Sequence, residues 1–184
     1  MNPFRRPALI VIDVQRGFDD SDYWEPRNNT DCESNIAQLL AFWWLKAWPV
    51  AYVRHDSTNP QSPLAVGTRG NEFKDIITGK PDLLVSKSVN SSFHGSPDLH
   101  SWLRGEGIDQ VVICGTTNHC CETTARVAGN LGYDTSFVID ATHTFDRAAP
   151  DGSTFPALTV AAMTAANLHD EFATVVTTNE VLRD

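Results

Sequence analysis

Two adjacent thiols, Cys120 and Cys121, stand where an apolar run gives way to a helical pattern. Val111 to Cys114 is apolar and short enough for a buried parallel strand. Gly115 ends that run, and Thr116-Thr117-Asn118-His119 reads as a polar turn. A helix is predicted from Cys120 to Leu131, with Gly132 at its C-terminal cap. A thiol at a helix N-terminus meets unpaired N–H groups and the positive end of the helix dipole, both of which favour thiolate. Ionised sulfur is the nucleophilic form, so the pattern points to covalent catalysis by cysteine. Cys121 lies on a stripe with Ala125 and Ala128, which predicts that it faces the core and leaves Cys120 for chemistry. Two charged residues qualify as helpers. Asp13 closes the first apolar run, where a partly desolvated carboxylate can accept a thiol proton. Lys87 follows the third, where an ammonium would stabilise thiolate and keep the carboxylate charged.

Strands and helices must bring these groups together. Ala8 to Asp13, Pro49 to Val53, Asp82 to Val85, Gln110 to Cys114, Thr135 to Asp140 and Phe172 to Val176 read as six strands. A helix from about Asp31 presents Ile36, Leu39, Leu40, Trp43 and Ala47 on one face, with Thr30 or Asp31 as cap. Ser96-Pro97 predicts a helix that starts with proline at its first position and runs to about Glu106. An Ala-rich helix is expected from Ser153 or Thr154 to His169, and a short helical turn at the end. Residues 57–81 carry Pro60, Pro63, Gly67, Gly70 and Gly79 and read as a long ordered loop. Strands alternating with helices or crossovers give a three-layer α/β/α arrangement, a doubly wound six-stranded parallel sheet. Asp13, His55, Lys87, the 116–120 turn and Asp140 then share the carboxyl edge of the sheet, where sites form in such folds.

Three separated motifs resemble those of the isochorismatase-like cysteine hydrolases, a superfamily that includes nicotinamidases and ureidoacrylate amidohydrolases. They are Leu9-Ile-Val-Ile-Asp13-Val-Gln15-Arg-Gly-Phe18, Val85-Ser-Lys87-Ser-Val-Asn-Ser-Ser-Phe93, and Thr117-Asn118-His119-Cys120-Cys121-Glu122-Thr123-Thr124-Ala125-Arg126. The resemblance spans nearly the whole chain and implies that fold. It implies Asp13 as general base, Lys87 as its partner and Cys120 as nucleophile, in an amidohydrolase acting through a thioester on a small C–N substrate. The match at Thr124-Ala125 holds only with Cys120 as nucleophile. Counting back from Cys120, the resemblance also implies a cis peptide at Gly115–Thr116 and an oxyanion hole of the Thr116 and Cys120 N–H groups. One departure is visible: Gly115 stands five positions before Cys120, one fewer than the pattern has. That shortened turn supports an alternative, a non-catalytic ligand-binding or scaffold protein on the same fold. A vinyl ether hydrolase of the isochorismatase type is a further alternative, but such relatives lack the cysteine. Nicotinamidases carry an Asp-x-His pair for zinc. Here the region reads Arg54-His55-Asp56-Ser57, so no metal and no cofactor are expected. The resemblance implies a homo-oligomer, a dimer or larger.

Phe18, Trp24, His119 and Phe145 lie on loops near the sheet edge and are candidate substrate contacts, with Phe18 and Trp24 suited to wall a flat molecule. The 184 residues suit one domain, 1–184, and 41% are hydrophobic, ordinary for a globular chain. A formal charge of −9 with no basic block argues against nucleic acid. No apolar run approaches the roughly 20 residues of a membrane span, and the run after Arg5-Arg6 meets Asp13 too soon for a signal peptide. A cytoplasmic protein acting on a small molecule is the expectation. The four cysteines lack zinc or disulfide-framework spacings, and Cys32 and Cys114 are expected to be structural.

Overall fold

The structure, a computed structural model, describes residues 6–116 and 118–183. Its elements in order are β1 (Ala8–Ile12), α1 (Cys32–Lys46), β2 (Val50–His55), β3 (Leu83–Lys87), α2 (Leu99–Gly105), β4 (Gln110–Thr116) and α3 (Asn118–Asn130). Then come β5 (Asp134–His143), β6 (Arg147–Ala148), β7 (Thr154–Phe155), α4 (Ala157–Leu168), β8 (Thr174–Val176) and α5 (Thr178–Leu182). Six strands form one parallel sheet in the order β3-β2-β1-β4-β5-β8. The order reverses between β1 and β4, so the crevice at their carboxyl ends is the topological switch point.

β1 is buried on both faces and its residues divide by parity, as a pleated strand requires. Ala8, Ile10 and Ile12 pack with Leu99, Leu103, Cys121, Ala125 and Leu168, the side of α2, α3 and α4. Leu9 and Val11 pack with Ile36, Leu39, Leu40 and Trp43 of α1, with Val181 and Leu182 of α5 against that cluster. The sheet is thus covered on both sides, the expected three-layer arrangement.

Several boundaries move. β4 runs two residues past Cys114, because Gly115 can lie against β1 where no side chain fits: a Cβ there would be 2.1 Å from the Ile12 carbonyl oxygen. β5 continues past Asp140 to His143. Asp140 therefore leaves the site edge, and its Oδ1 instead accepts from the Thr178 N–H (2.7 Å) and hydroxyl (2.8 Å) at the start of α5. α2 begins at Leu99 rather than Pro97, since Asp98 is the better cap and accepts from the Ser101 N–H at 2.6 Å. α4 begins at Ala157, because residues 147–155 are drawn into the β6–β7 hairpin. Ala47 leaves the apolar face of α1; it is the exposed, left-handed C-cap (φ 51°). The helical tryptophans separate: Trp43 is buried and donates to the Pro7 carbonyl at 2.9 Å, while Trp44 packs beneath Gly79 of the long loop.

Candidate active site

Asp13 is the first residue after β1, and its backbone is left-handed (φ 55°). Its N–H still donates to the Val53 carbonyl at 2.9 Å, and its own carbonyl accepts from the Gln15 N–H at 2.8 Å. Asp and Asn tolerate this conformation better than other non-glycine residues. Lys87 closes β3, two strands away, with His55 at the end of β2 between them. The lysine side chain crosses the end of β2 to reach the carboxylate. Its Nζ donates to Asp13 Oδ2 at 2.6 Å, and both side chains are 0% exposed. His55 Nδ1 stands 3.4 Å from the same ammonium. Burial opposes the Lys87 charge, but the Asp13 carboxylate, by its charge and its hydrogen bond, outweighs it and holds the lysine above its ordinary pKa. Burial, reinforced by Lys87, holds His55 below the ordinary histidine value, which favours the neutral ring. Gln15 locks the end of β2 from the side: it accepts from the His55 N–H at 2.8 Å and donates to the His55 and Asn71 carbonyls at 3.0 and 2.9 Å.

Cys120 is the third residue of α3, which starts two residues earlier than the sequence pattern indicates. Its N–H is still among the first four of the helix, which have no intrahelical acceptor, so the dipole argument survives. The sulfur lies 3.8 Å from Asn90 Oδ1, and the residue is only 4% exposed. Thr124, one turn on, donates to the Cys120 carbonyl at 2.8 Å and accepts from the Ser92 N–H at 3.0 Å. The segment after β3 and the helix after β4 therefore hold each other, which gives the second and third motifs a shared structural task. Cys121 is fully buried with Ala125 and Ala128, and burial pushes its thiol well above the ordinary range. Cys32 and Cys114 are buried in the opposite layer and likewise raised by burial.

Gly115–Thr116 is not cis; among the described residues the cis bond is Ser96–Pro97. Thr116 is a ladder partner of His143 at the end of β4, so the chain there is strand where a cis turn was expected. Thr117 lies outside the described residues.

The loop residues fall into two groups. Phe18, Trp24 and Phe145 form one aromatic cluster, with centroids 5.0 Å (Phe18–Trp24) and 5.1 Å (Trp24–Phe145) apart. They line a cleft of about 560 Å³ together with Arg27, Glu33 and Lys74. Asp13, Lys87 and Cys120 do not line it. His119 is half-buried and does not line it either; burial, then Arg147, lowers its pKa. At the cleft floor Arg27 grips Glu33 with two bonds of 2.8 and 2.6 Å, and Lys74 joins Glu33 to Asp19 with two bonds of 2.6 Å. Burial disfavours the Glu33 charge, yet these two cations bring its pKa down to about 2.

Sequence reasoning did not single out Asn90, Asn118 or His143. Asn90 sat inside a quoted motif and carried that signal. His143 is buried at the end of β5 against Phe145, and neither ring nitrogen has a hydrogen-bond partner among the described residues. Burial, then Arg27, drives its pKa down to about 3. Asp13 Oδ1, Thr116 Oγ1 and both polar atoms of the Asn118 side chain are also buried without a partner among the described residues. So many unmet hydrogen-bonding groups at one sheet edge are uncommon in a folded interior and usual at a site. No group of three or more His, Cys, Asp or Glu is arranged to hold a metal ion among the described residues.

The isochorismatase domain model matches residues 7–180. The chain belongs to the isochorismatase family. The Bacillus subtilis isochorismatase family protein YrdC is 41% identical over 183 residues, covering 97% of this chain and 96% of that protein. Nicotinamidase 3 of Arabidopsis thaliana is 32% identical over 155 residues, covering 76% and 74%. The crystal structure of a cysteine hydrolase from Pseudomonas syringae pv. phaseolicola superposes with a TM-score of 0.85 at 27% identity, covering 97% and 91%. The fold is thus that of the isochorismatase-family cysteine hydrolases, and amidases stand among the relatives. No described helix is long and apolar enough to cross a membrane.

Proposed function

We propose that this chain is a cytoplasmic, single-domain cysteine amidohydrolase that cleaves a C–N bond of a small amide-like substrate through a thioester. The observation that carries this reading is the fully buried Lys87–Asp13 pair at the switch point of the sheet, beside the first turn of the helix that bears Cys120. A buried ion pair is a poor source of stability, because desolvation offsets its attraction. Its placement at a strand edge is better explained by chemistry. In the proposed cycle Asp13 takes the Cys120 proton, with the Lys87 hydrogen bond at 2.6 Å holding the carboxylate in place. The thiolate adds to the substrate carbonyl, and the Cys120 N–H stabilises the oxyanion. Asp13 returns the proton to the departing nitrogen, then activates the water that cleaves the thioester. Thiol, carboxylate and ammonium supply nucleophile, base and charge, so the cycle draws on no cofactor. Phe18, Trp24 and Phe145 are proposed to receive the substrate's flat or apolar part, with His119 beside the nucleophile.

The missing residue between Gly115 and Cys120 favours a second reading, a ligand-binding protein whose catalytic turn is no longer competent. Iodoacetamide labelling followed by peptide mapping separates the two, together with a hydrolysis screen over small amides. The hydrolase reading expects selective alkylation at Cys120 and turnover of at least one amide. A Cys120 no more reactive than Cys121, with no amide cleaved, would establish the second reading.

A further inference from the structure

We propose that His143 is a specificity-determining residue whose ring receives a second, uncharged hydrogen-bonding group of the substrate, beside the scissile amide. The assignment rests on the hydrolase reading above for what is bound, and on the crevice itself for where. His143 closes β5 and is the ladder partner of Thr116, the last residue of β4. Ile12 of β1 pairs with Gly115, so Asp13 and Thr116 come next on neighbouring strands. Asp13, Thr116 and His143 thus follow one another across three adjacent strand ends, β1, β4 and β5. Asn118 opens α3 two residues after Thr116. The His143 ring also meets Phe145 edge to face, with centroids 5.3 Å apart, and Phe145 lines the aromatic cleft. His143 therefore joins the catalytic edge to a cleft that Asp13, Lys87 and Cys120 do not line.

Unmet hydrogen bonds point to a ligand. His143 is 1% exposed, yet neither ring nitrogen has a partner among the described residues. Asp13 Oδ1, Thr116 Oγ1 and the Asn118 amide are in the same condition. Leaving such atoms unpaired is costly, and folded chains pair nearly all of theirs. An incoming molecule that supplies the partners accounts for the whole group. Charge then selects the molecule. The charged groups that act on the ring are Arg27, Glu33 and Lys74. Arg27 is held by Glu33, Lys74 by Glu33 and Asp19, and Lys87 by Asp13. Arg147, exposed on β6, bears on His119 instead. The cations around the ring thus already carry carboxylates, and burial keeps the ring itself neutral. A neutral imidazole offers one donor and one acceptor. It suits a hydroxyl, a carbonyl or a carboxamide, whereas a carboxylate would lose its water and meet no free counter-charge.

The test reads the His143 ring nitrogens by NMR in the Cys120→Ala chain, so that nothing is turned over. The probes are acetamide and acetate, which have nearly the same shape and differ in charge. Acetamide should shift the His143 nitrogens, and acetate should leave them in place. On any amide that the wild type cleaves, His143→Leu should raise KM by about tenfold, the scale of one lost hydrogen bond, with kcat little changed. Its urea midpoint should hold or rise, because the atoms removed had no partner. His143→Gln, which restores a donor and an acceptor, should recover part of the KM. Acetamide without effect on the ring overturns the assignment, as does an equal response to acetate. A His143→Leu chain with a lowered midpoint and an unchanged KM overturns it too, and makes the ring a structural residue paired with buried water. If acetamide moves the ring but the wild type cleaves no amide, the ligand site stands and the hydrolase reading alone fails.

Discussion

Cys120 and Cys121 are chemically identical and one peptide bond apart, yet their surroundings differ. Cys121 is sealed in the apolar layer beneath α3, and its raised pKa keeps it a thiol. Cys120 touches Asn90 and sits within the electrostatic reach of Lys87. Cys120→Ala should therefore abolish amide turnover, whereas Cys121→Ala should retain it and lower stability by about 1 kcal/mol. Comparing the two variants on any substrate from the amide screen decides the matter; an active Cys120→Ala with a dead Cys121→Ala would shift the register by one residue. Cys120→Ser should be nearly inactive, because a carboxylate is too weak a base for a hydroxyl. Asp13→Asn should cut kcat/KM by about 10²–10⁴, the usual scale for a lost general base. Asp13 and Lys87 were legible in the sequence because each terminates a short apolar run, so the strand reading fixes both at one edge. His143 was not: it lies beyond the point where the apolar pattern of the fifth strand stops, and the register of β4 and β5 shifts irregularly there.

At the scale of elements, the contact between β1 and β4 sets the crevice, and Gly115 makes it possible. Its φ of 144° and the 2.1 Å approach to the Ile12 carbonyl leave no room for a side chain. Gly115→Ala should cost about 1–3 kcal/mol or more, read as a lower urea midpoint, by forcing apart the strands that carry Asp13 and lead to Cys120. An unchanged midpoint would show that β4 can yield there without strain. The strand–helix alternation was readable from apolar runs and caps. The ends of β4, β5 and α4 were not, because they are decided by long-range contacts: Gly115 against Ile12, Asp140 on α5, and the hairpin ahead of α4. Periodicity carries no trace of such partners.

For the whole molecule, the two largest of the lowered pKa values, those of buried His143 and half-buried Glu33, shape stability against pH, with the smaller lowering of His55 and His119 acting in the same direction as His143. His143 has its pKa pushed from 6.5 to about 3, so below about pH 6.5 the unfolded chain takes up a proton that the folded chain refuses. Stability must fall as pH drops through that window, by at most about 1.4 kcal/mol per pH unit for one such group. Glu33 has its pKa lowered from 4.5 to about 2, so its contribution is present above 4.5 and lost as pH falls toward 2. Denaturant unfolding between pH 7 and 3 should show a decline that begins near 6.5, and His143→Asn should flatten its upper part. A variant with an unaltered profile would mean that His143 titrates normally.

The proposed nucleophile, Cys120, is 4% exposed, beside an ion pair with no exposed side-chain surface, and lies behind a closed door. Every encounter with a reagent must then wait for the surrounding loops to part, and the sulfur becomes a clock for that motion. Alkylation of Cys120 should rise with iodoacetamide at first and then level off at a ceiling set by the frequency of opening. A bulky maleimide should level off lower, since wider excursions are rarer. A rate that climbs in proportion for both reagents without a ceiling would mean that the door stands open in solution.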